Sequence, residues 1–176
     1  GTDGWGGTAN IAVGFKELIE DGYVFVFQDI RGQHRSEGVF IMNRPPRDRR
    51  DPRAVDEATD TWDTVEWLLR SVPGTNGRVG MLGISYPGFL VNAALVDPHP
   101  ALKAAVPMYP MVDGWIGDDF YHKGAFRQTM LEWIYEMGSH KSSDHQVPYG
   151  YRDLYEAFLS AGSAEAVARR YKADQL

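Results

Sequence analysis

Cysteine is absent from this sequence of 176 residues. Its absence excludes disulfide bonds, thiolate metal sites and a cysteine nucleophile, but it does not identify the cellular compartment. The sequence also lacks any apolar run of the ~20 residues that a membrane-spanning helix needs. Its formal net charge of −6 disfavours nucleic acid as a general partner. We therefore expect neither a membrane nor a nucleic-acid partner.

The residues that are present have the balance of a folded protein. Hydrophobic residues make up 43% of the chain and charged residues 24%, which excludes a disordered polypeptide. The length suffices for one ordinary domain with a sizeable core. The composition and length therefore predict a folded domain, and the apolar patterns indicate its fold class.

Apolar runs and helical patterns alternate along the first two thirds of the chain. Three short runs rich in β-branched or aromatic residues predict strands at Tyr23–Ile30, Arg78–Gly83 and Leu102–Pro107. Helical spacing predicts helices over 9–22, from the Asp51-Pro52 pair to residue 71, and over Phe89–Val96. This alternation is typical of the α/β class, with a parallel sheet and helices on its faces.

The last third of the chain has a different character. From Asp113 to Leu176 aromatic and helical patterns continue, and no clear strand is predicted. Between the first two predicted strands, residues 31–53 are polar and proline-rich, which is typical of an excursion over the surface.

One stretch combines the end of a predicted strand with the start of a helix. It reads Gly83-Ile84-Ser85-Tyr86-Pro87-Gly88. In α/β-hydrolases a nucleophilic serine occupies such a turn, where glycines leave room for the backbone. The usual signature is G-x-S-x-G, and here the second glycine comes one residue later. Ser85 is therefore a candidate nucleophile; the alternative is a serine whose hydroxyl only caps the following helix.

The spelling G-x-S-Y-x-G resembles the turn of the X-Pro dipeptidyl-peptidase-like serine hydrolases, the cocaine esterase group. Further segments resemble that family in the same order, at 22–38, 56–89, 97–107 and 113–128. The similarity is greatest to the α-amino acid ester hydrolase and glutaryl-cephalosporin acylase branch. It implies an internal piece of an α/β-hydrolase fold, with a partial core over 1–112 and the start of a helical cap over 113–176.

The resemblance also implies roles for individual residues. Ser85 would form the acyl-enzyme, and the backbone N–H of Tyr86 would be one donor to the oxyanion. Asp119, the second aspartate of the "GDD" segment, would bind the ammonium group of a substrate, while Asp118 would cap the next helix. Pro87 departs from the glutamate of the true amino-ester enzymes, which puts their substrate preference in doubt but not the serine chemistry.

The catalytic partners of the serine are not found in the chain. Triad order in this fold is serine, then an acid, then histidine after later strands, and none of the five histidines follows a later strand. We therefore expect the triad acid and base outside this sequence, and an inactive fragment. We expect neither a metal nor a cofactor. The resemblance is compatible with a homo-oligomeric intact enzyme and leaves open a periplasmic, secreted or cytoplasmic location.

The predicted function is a serine hydrolase or acyltransferase that acts on small esters or amides. The resemblance points to α-amino acid esters or to the side-chain acyl groups of β-lactams as substrates. Two alternatives remain: an X-Pro dipeptidyl peptidase with the same serine chemistry, and a non-catalytic α/β module whose aromatic C-terminal half binds a partner.

Overall fold

The computed structural model describes residues 14–117, 119–138, 140–141 and 153–171. These residues divide into two compact units, Met42–Met130 and the described parts of Gly1–Ile41 and Leu131–Leu176. Within the described ranges, no helix has the length and apolar character required to cross a bilayer. The predicted division of the complete fold at residue 112 stays a prediction.

Helices and short strands alternate along the described chain. In chain order the elements are α1 (Lys16–Glu20), α2 (Glu57–Ser71), β1 (Val79–Ile84), α3 (Tyr86–Ala94), β2 (Leu102–Met108), β3 (Tyr121–His122), β4 (Ala125–Phe126), α4 (Met130–Gly138), α5 (Leu154–Ala161) and α6 (Ala164–Tyr171).

The centre of the Met42–Met130 unit is a parallel pair of strands joined by a helix. β1 pairs with β2 in a register that ends at Ile84 opposite Met108. Helix α3 connects the two strands and packs against both, with Val91 fully buried. This arrangement confirms the predicted parallel sheet between the second and third apolar runs. It also places the carboxyl ends of both strands at one edge, where open α/β sheets bind their ligands.

The first predicted strand, Tyr23–Ile30, is wrong, because the structure has no strand there. Val24 and Val26 are exposed, at 67% and 48% of their surface. A strand needs a neighbour for its backbone hydrogen bonds, and among the described residues β1 pairs only with β2. The segment therefore has the composition of a strand but forms no strand ladder among the described residues.

Helix α2 begins later than the sequence suggested. Asp56, not Asp51, is the N-cap: its carboxylate accepts a hydrogen bond from the Thr59 amide, and the Thr59 hydroxyl accepts one from the Asp56 amide. Asp51 instead closes a turn by accepting from the Arg53 amide. The reciprocal bonds of Asp56 and Thr59 satisfy two donors at once, so the helix starts there.

Helix α3 begins at Tyr86, directly after Ser85, which confirms the prediction that the serine turn leads into a helix there. Pro87 occupies the first turn, where a missing amide hydrogen costs nothing. One further difference concerns the last third of the chain. In the last third, β3 and β4 form a small antiparallel hairpin that was not predicted. The remaining elements, α4 to α6, confirm the predicted helical character. In their unit, the Gln33 side chain donates to the Met137 carbonyl over 3.0 Å.

Candidate active site

Ser85 lies at the turn between β1 and α3, as predicted. Its backbone has φ 61° and ψ −121°, in the left-handed half of the φ range that a non-glycine residue rarely occupies. Its amide donates to the Met108 carbonyl over 2.9 Å, which fixes the turn to the end of β2. Its side chain makes no capping hydrogen bond to α3. The alternative of a merely capping serine therefore has no support in this geometry.

Two glycines make this turn sterically possible. A Cβ at Gly83 would lie 2.3 Å from the Pro87 carbonyl oxygen and 2.8 Å from the Pro87 Cβ. A Cβ at Gly88 would lie 2.5 Å from the carbonyl oxygen of Met108. All three distances are far shorter than van der Waals contact, and the two carbonyl oxygens belong to the backbone and cannot move independently. The late second glycine is thus explained: Gly88 is the point where α3 crosses the end of β2.

Tyr86 fixes the first turn of α3 from the inside. Its side chain is only 5% exposed, and its hydroxyl accepts a hydrogen bond from the Asn43 amide over 3.0 Å. Burial is the main reason that the pKa of this phenol is raised to about 12, so the hydroxyl stays neutral at physiological pH. The backbone amide of Tyr86 opens α3 beside Ser85, and the first amides of a helix point outward from its N-terminus.

A short loop before α2 binds the Tyr86 hydroxyl, and the sequence did not predict this contact. Asn43, in left-handed backbone with φ 47°, donates from its side chain to the Met111 sulfur over 3.7 Å as well as from its amide to Tyr86. The next residue, Arg44, faces Glu57 at 3.8 Å, and both side chains are almost fully buried. The loop thus joins the ends of β1 and β2 to the start of α2. A polar loop residue with no motif gives no sequence signal of this role.

His99 is a structural residue. Its Nε2 lies 2.9 Å from a Glu66 carboxylate oxygen, and its Nδ1 accepts from the Ala101 amide over 3.0 Å. Trp62 packs edge-on against the ring, with centroids 4.6 Å apart. Since both ring nitrogens have partners, this histidine cannot serve as a base for Ser85. Within the described residues of the Met42–Met130 unit, the ring of His99 bonds to Glu66 and Ala101 and not to Ser85.

Asp119 lies just before the β3–β4 hairpin. Its carboxylate is 3.9 Å from the Arg127 guanidinium, and both side chains are about half exposed, at 52% and 50%. The hairpin itself is an aromatic cluster in which Tyr121 contacts both Trp115 and Phe126, with ring centroids 5.2 Å and 5.4 Å away. Asp118, the predicted cap, lies outside the described residues. The ammonium-binding role of Asp119 stays a prediction.

The described turn has two features that an acyl transfer needs. It presents an exposed serine in a constrained turn and a helix amide next to that serine, and the roles of nucleophile and oxyanion donor stay predictions for Ser85 and Tyr86. In the described residues no cluster of three or more histidine or acidic side chains could hold a metal ion. What the site still requires is a base to remove the serine proton.

Comparisons with known proteins agree on the kind of enzyme. A family model described as X-Pro dipeptidyl-peptidase (S15 family) matches residues 2–175. Cocaine esterase from Rhodococcus sp. (strain MB1 Bresler) is 32% identical over 124 residues, which are 70% of this chain and 20% of that protein.

Two solved structures are similar in sequence and in fold. An α-amino acid ester hydrolase labelled with selenomethionine is 47% identical with a TM-score of 0.83; the match covers 90% of this chain and 26% of that one. An aminopeptidase from the marine sediment archaeon Thaumarchaeota archaeon is 42% identical with a TM-score of 0.80, covering 87% and 25%. The chain thus spans between 20% and 26% of these three proteins. The matches confirm the α/β-hydrolase fold class and the predicted resemblance.

Proposed function

The chain belongs to the X-Pro dipeptidyl-peptidase (S15) family, and from this membership we propose that Ser85 is the nucleophile of a serine hydrolase that cleaves esters or amides. The observation that carries the proposal is the left-handed backbone of Ser85, at a turn where its hydroxyl does not cap the helix. Such strain persists only where the surrounding structure enforces it, and it is concentrated at functional sites. Gly83 and Gly88 leave room for this turn, and the hydrogen bond from the Ser85 amide to the Met108 carbonyl holds it in place.

The reaction follows from the groups at the turn. Ser85 Oγ attacks the acyl carbon of the substrate as its proton passes to a base, and the carbonyl oxygen becomes an oxyanion that accepts from the Tyr86 amide. Collapse of this intermediate breaks the bond to the leaving alcohol or amine, which takes up the proton. Water then attacks the acyl-enzyme and releases the acid. We expect the base to be none of the five histidines of this chain.

The substrate class that we propose is α-amino acid esters, or β-lactams carrying an α-amino acyl side chain. The resemblance of the "GDD" segment to the ammonium-binding segment of α-amino acid ester hydrolases supports this choice, since an ionised Asp119 carboxylate would favour a free α-amine by direct ion pairing. Its contact with Arg127 is long and half exposed, and ion pairs of this kind contribute little. A substrate ammonium can therefore compete with Arg127 for the carboxylate.

The role of Asp119 can be separated from its contact with Arg127. In the protein expressed from the longest reading frame that contains this sequence, we expect Asp119→Asn to lower kcat/KM about tenfold for phenylglycine methyl ester and not for phenylacetate methyl ester. Arg127→Gln is the matched control and should leave the amino ester equal or better. Equal losses on both esters in both variants would make the pair structural and remove the support for an amine-directed substrate.

The second candidate is an X-Pro dipeptidyl peptidase, which the description of the matching family favours. It has the same nucleophile and also recognises a free amine, so Asp119 does not distinguish the two. A comparison of kcat/KM for Ala-Pro p-nitroanilide with kcat/KM for phenylglycine methyl ester distinguishes the two enzymes. A kcat/KM that is higher for the anilide would select the peptidase.

The test of the hydrolase itself is turnover of p-nitrophenyl acetate. We expect Ser85→Ala to lower kcat by at least about a thousandfold, as removal of a nucleophile does. Ser71→Ala, at the exposed end of α2, is the control and should be unchanged. The 176-residue chain alone is expected to be inactive, and turnover by it that depends on Ser85 would show that one of its histidines is the base. Undiminished turnover by Ser85→Ala in the longer protein would leave the non-catalytic module as the better interpretation.

A further inference from the structure

Tyr109 is the first residue after β2, at the edge of the sheet that carries Ser85. The paired register of the two strands ends at Ile84 opposite Met108, so Ser85 and Tyr109 are the next residue on each chain. The Ser85 amide still donates to the Met108 carbonyl over 2.9 Å, which keeps the two chains together at that point. Neighbouring strands lie about 4.8 Å apart, so the backbones of Ser85 and Tyr109 leave the sheet side by side at the same edge.

The backbone of Tyr109 is strained in the same sense as that of Ser85. Its φ is 45°, a value that is rare for an aromatic residue, because the side chain crowds the backbone there. Its side chain is 84% exposed, so packing within the described structure does not offset the energetic cost of this strain. Residues held in such conformations are concentrated where function requires the side chain in a particular place.

The segment that follows Tyr109 is also apolar and exposed. Val112, Trp115 and Ile116 are exposed by 78%, 62% and 60% of their surface. Contiguous exposed apolar side chains on a folded protein mark a surface that binds something apolar. Here they continue from the residue that lies next to Ser85.

We infer that Tyr109 forms one wall of the acyl-binding site and selects substrates with an aromatic or bulky apolar acyl group. The inference rests on the proposed function, because it needs Ser85 as the nucleophile. A tyrosine ring offers a flat apolar face and a polar edge to an aromatic acyl group. The backbone of Tyr109 follows Met108, which accepts the hydrogen bond of the Ser85 amide, so the two residues leave the sheet at the same edge.

The experiment removes the ring without imposing a new strain. Asparagine and glycine both tolerate left-handed backbone, so Tyr109→Asn and Tyr109→Gly delete the ring, whereas Tyr109→Phe keeps it. Each variant of the longer protein is assayed with p-nitrophenyl phenylacetate and p-nitrophenyl acetate. We expect the phenylacetate-to-acetate ratio of kcat/KM to fall about tenfold in the first two variants, the range in which apolar pockets discriminate. In Tyr109→Phe the ratio should stay within about twofold.

The same assay separates this inference from the proposed function. A ratio that is unchanged in Tyr109→Asn and Tyr109→Gly, with Tm unchanged, would overturn the acyl-wall role while Ser85→Ala still abolishes turnover. Equal losses on both esters together with a lower Tm would make Tyr109 a packing residue and would also overturn it. Full hydrolysis by Ser85→Ala would instead refute the proposed function.

Discussion

The turn at Ser85 and the β3–β4 hairpin each carry a group that we propose to act on substrate, and they are held in different ways. At the turn, Gly83 and Gly88 lie directly against backbone atoms of Pro87 and Met108. At the hairpin, aromatic rings contact one another and the ion pair of Asp119 is half exposed. Backbone contacts of this kind cannot be adjusted, whereas exposed side chains can. The position of the proposed nucleophile is therefore fixed by steric contacts of the backbone. The side chains of the proposed amine-binding region can change their positions.

The largest effect should come from adding one methyl group at the turn. In Gly83→Ala the new Cβ overlaps the Pro87 carbonyl, so the start of α3 must shift. We expect a loss of about 3 kcal/mol in the free energy of unfolding and a loss of about a hundredfold in kcat/KM. Gly80→Ala, whose Cβ would meet nothing closer than 3.9 Å, is the control on the same strand. Similar stability of the two variants in urea denaturation would show that the turn is not sterically fixed.

The next largest effect on stability is expected at the N-terminus of helix α2. Asp56 caps α2 and also accepts from the Arg47 amide over 2.8 Å, so Asp56→Ala should cost about 2 kcal/mol in unfolding free energy. Burial favours a higher pKa for this carboxyl, but the amides of Arg47 and Thr59 outweigh it and hold the pKa below 3.8. Its contribution is therefore complete above about pH 4 and is lost as the pH falls further. Asp48→Ala, in an exposed pair with Arg50, should leave the unfolding free energy unchanged.

A smaller effect should follow removal of one hydroxyl at the turn. Tyr86→Phe leaves the Asn43 amide without its acceptor, at a cost of about 1.5 kcal/mol. The pKa of Tyr86 is raised from 10.0 to about 12, so the stability linked to it is complete below pH 10 and decreases as the pH rises toward 12. Urea denaturation at pH 8 and pH 11 should therefore show a larger decrease for wild type than for Tyr86→Phe. Parallel decreases would contradict a protonated, buried phenol.

The smallest effect is expected at the hairpin. Gly124 has φ 81°, and its added Cβ would lie 2.7 Å from a ring carbon of Trp115, a side chain that can move. Gly124→Ala should therefore cost about 1 kcal/mol, from backbone strain alone, and leave hydrolysis of p-nitrophenyl acetate unchanged. A loss of acetate turnover comparable to that of Gly83→Ala would mean that the hairpin also positions the nucleophile.

The sequence indicated the turn, the strand before it and the helix after it because their signals are local. Glycine and serine at fixed spacing, an apolar run before them and a helical pattern after them all lie within Arg78–Val96. The hairpin also has a local signal in Lys123-Gly124: both residues have positive φ, and a two-residue loop ending in glycine is typical of such turns. The capping role of Asp56 also has a local signal, which is the threonine three positions later.

Other features could not be predicted, because they depend on distant partners. Tyr23–Ile30 has the composition of a strand, but composition does not reveal whether a neighbouring strand is present. Asn43 holds Tyr86 through a backbone amide 43 positions away, and every residue except proline has such an amide. Long-range contacts of the main chain leave no trace in residue type.

The most direct measurement is covalent labelling with a fluorophosphonate of the protein expressed from the longest reading frame that contains this sequence, followed by mass spectrometry of its peptides. A serine at this turn that has an activating base reacts with the reagent, whereas an ordinary surface serine does not. We predict one label per chain on the peptide that contains Ser85, no label in Ser85→Ala, and an unchanged label in Ser71→Ala. A folded protein that stays unlabelled, or that is labelled on another serine, would contradict the assignment of Ser85 as the nucleophile.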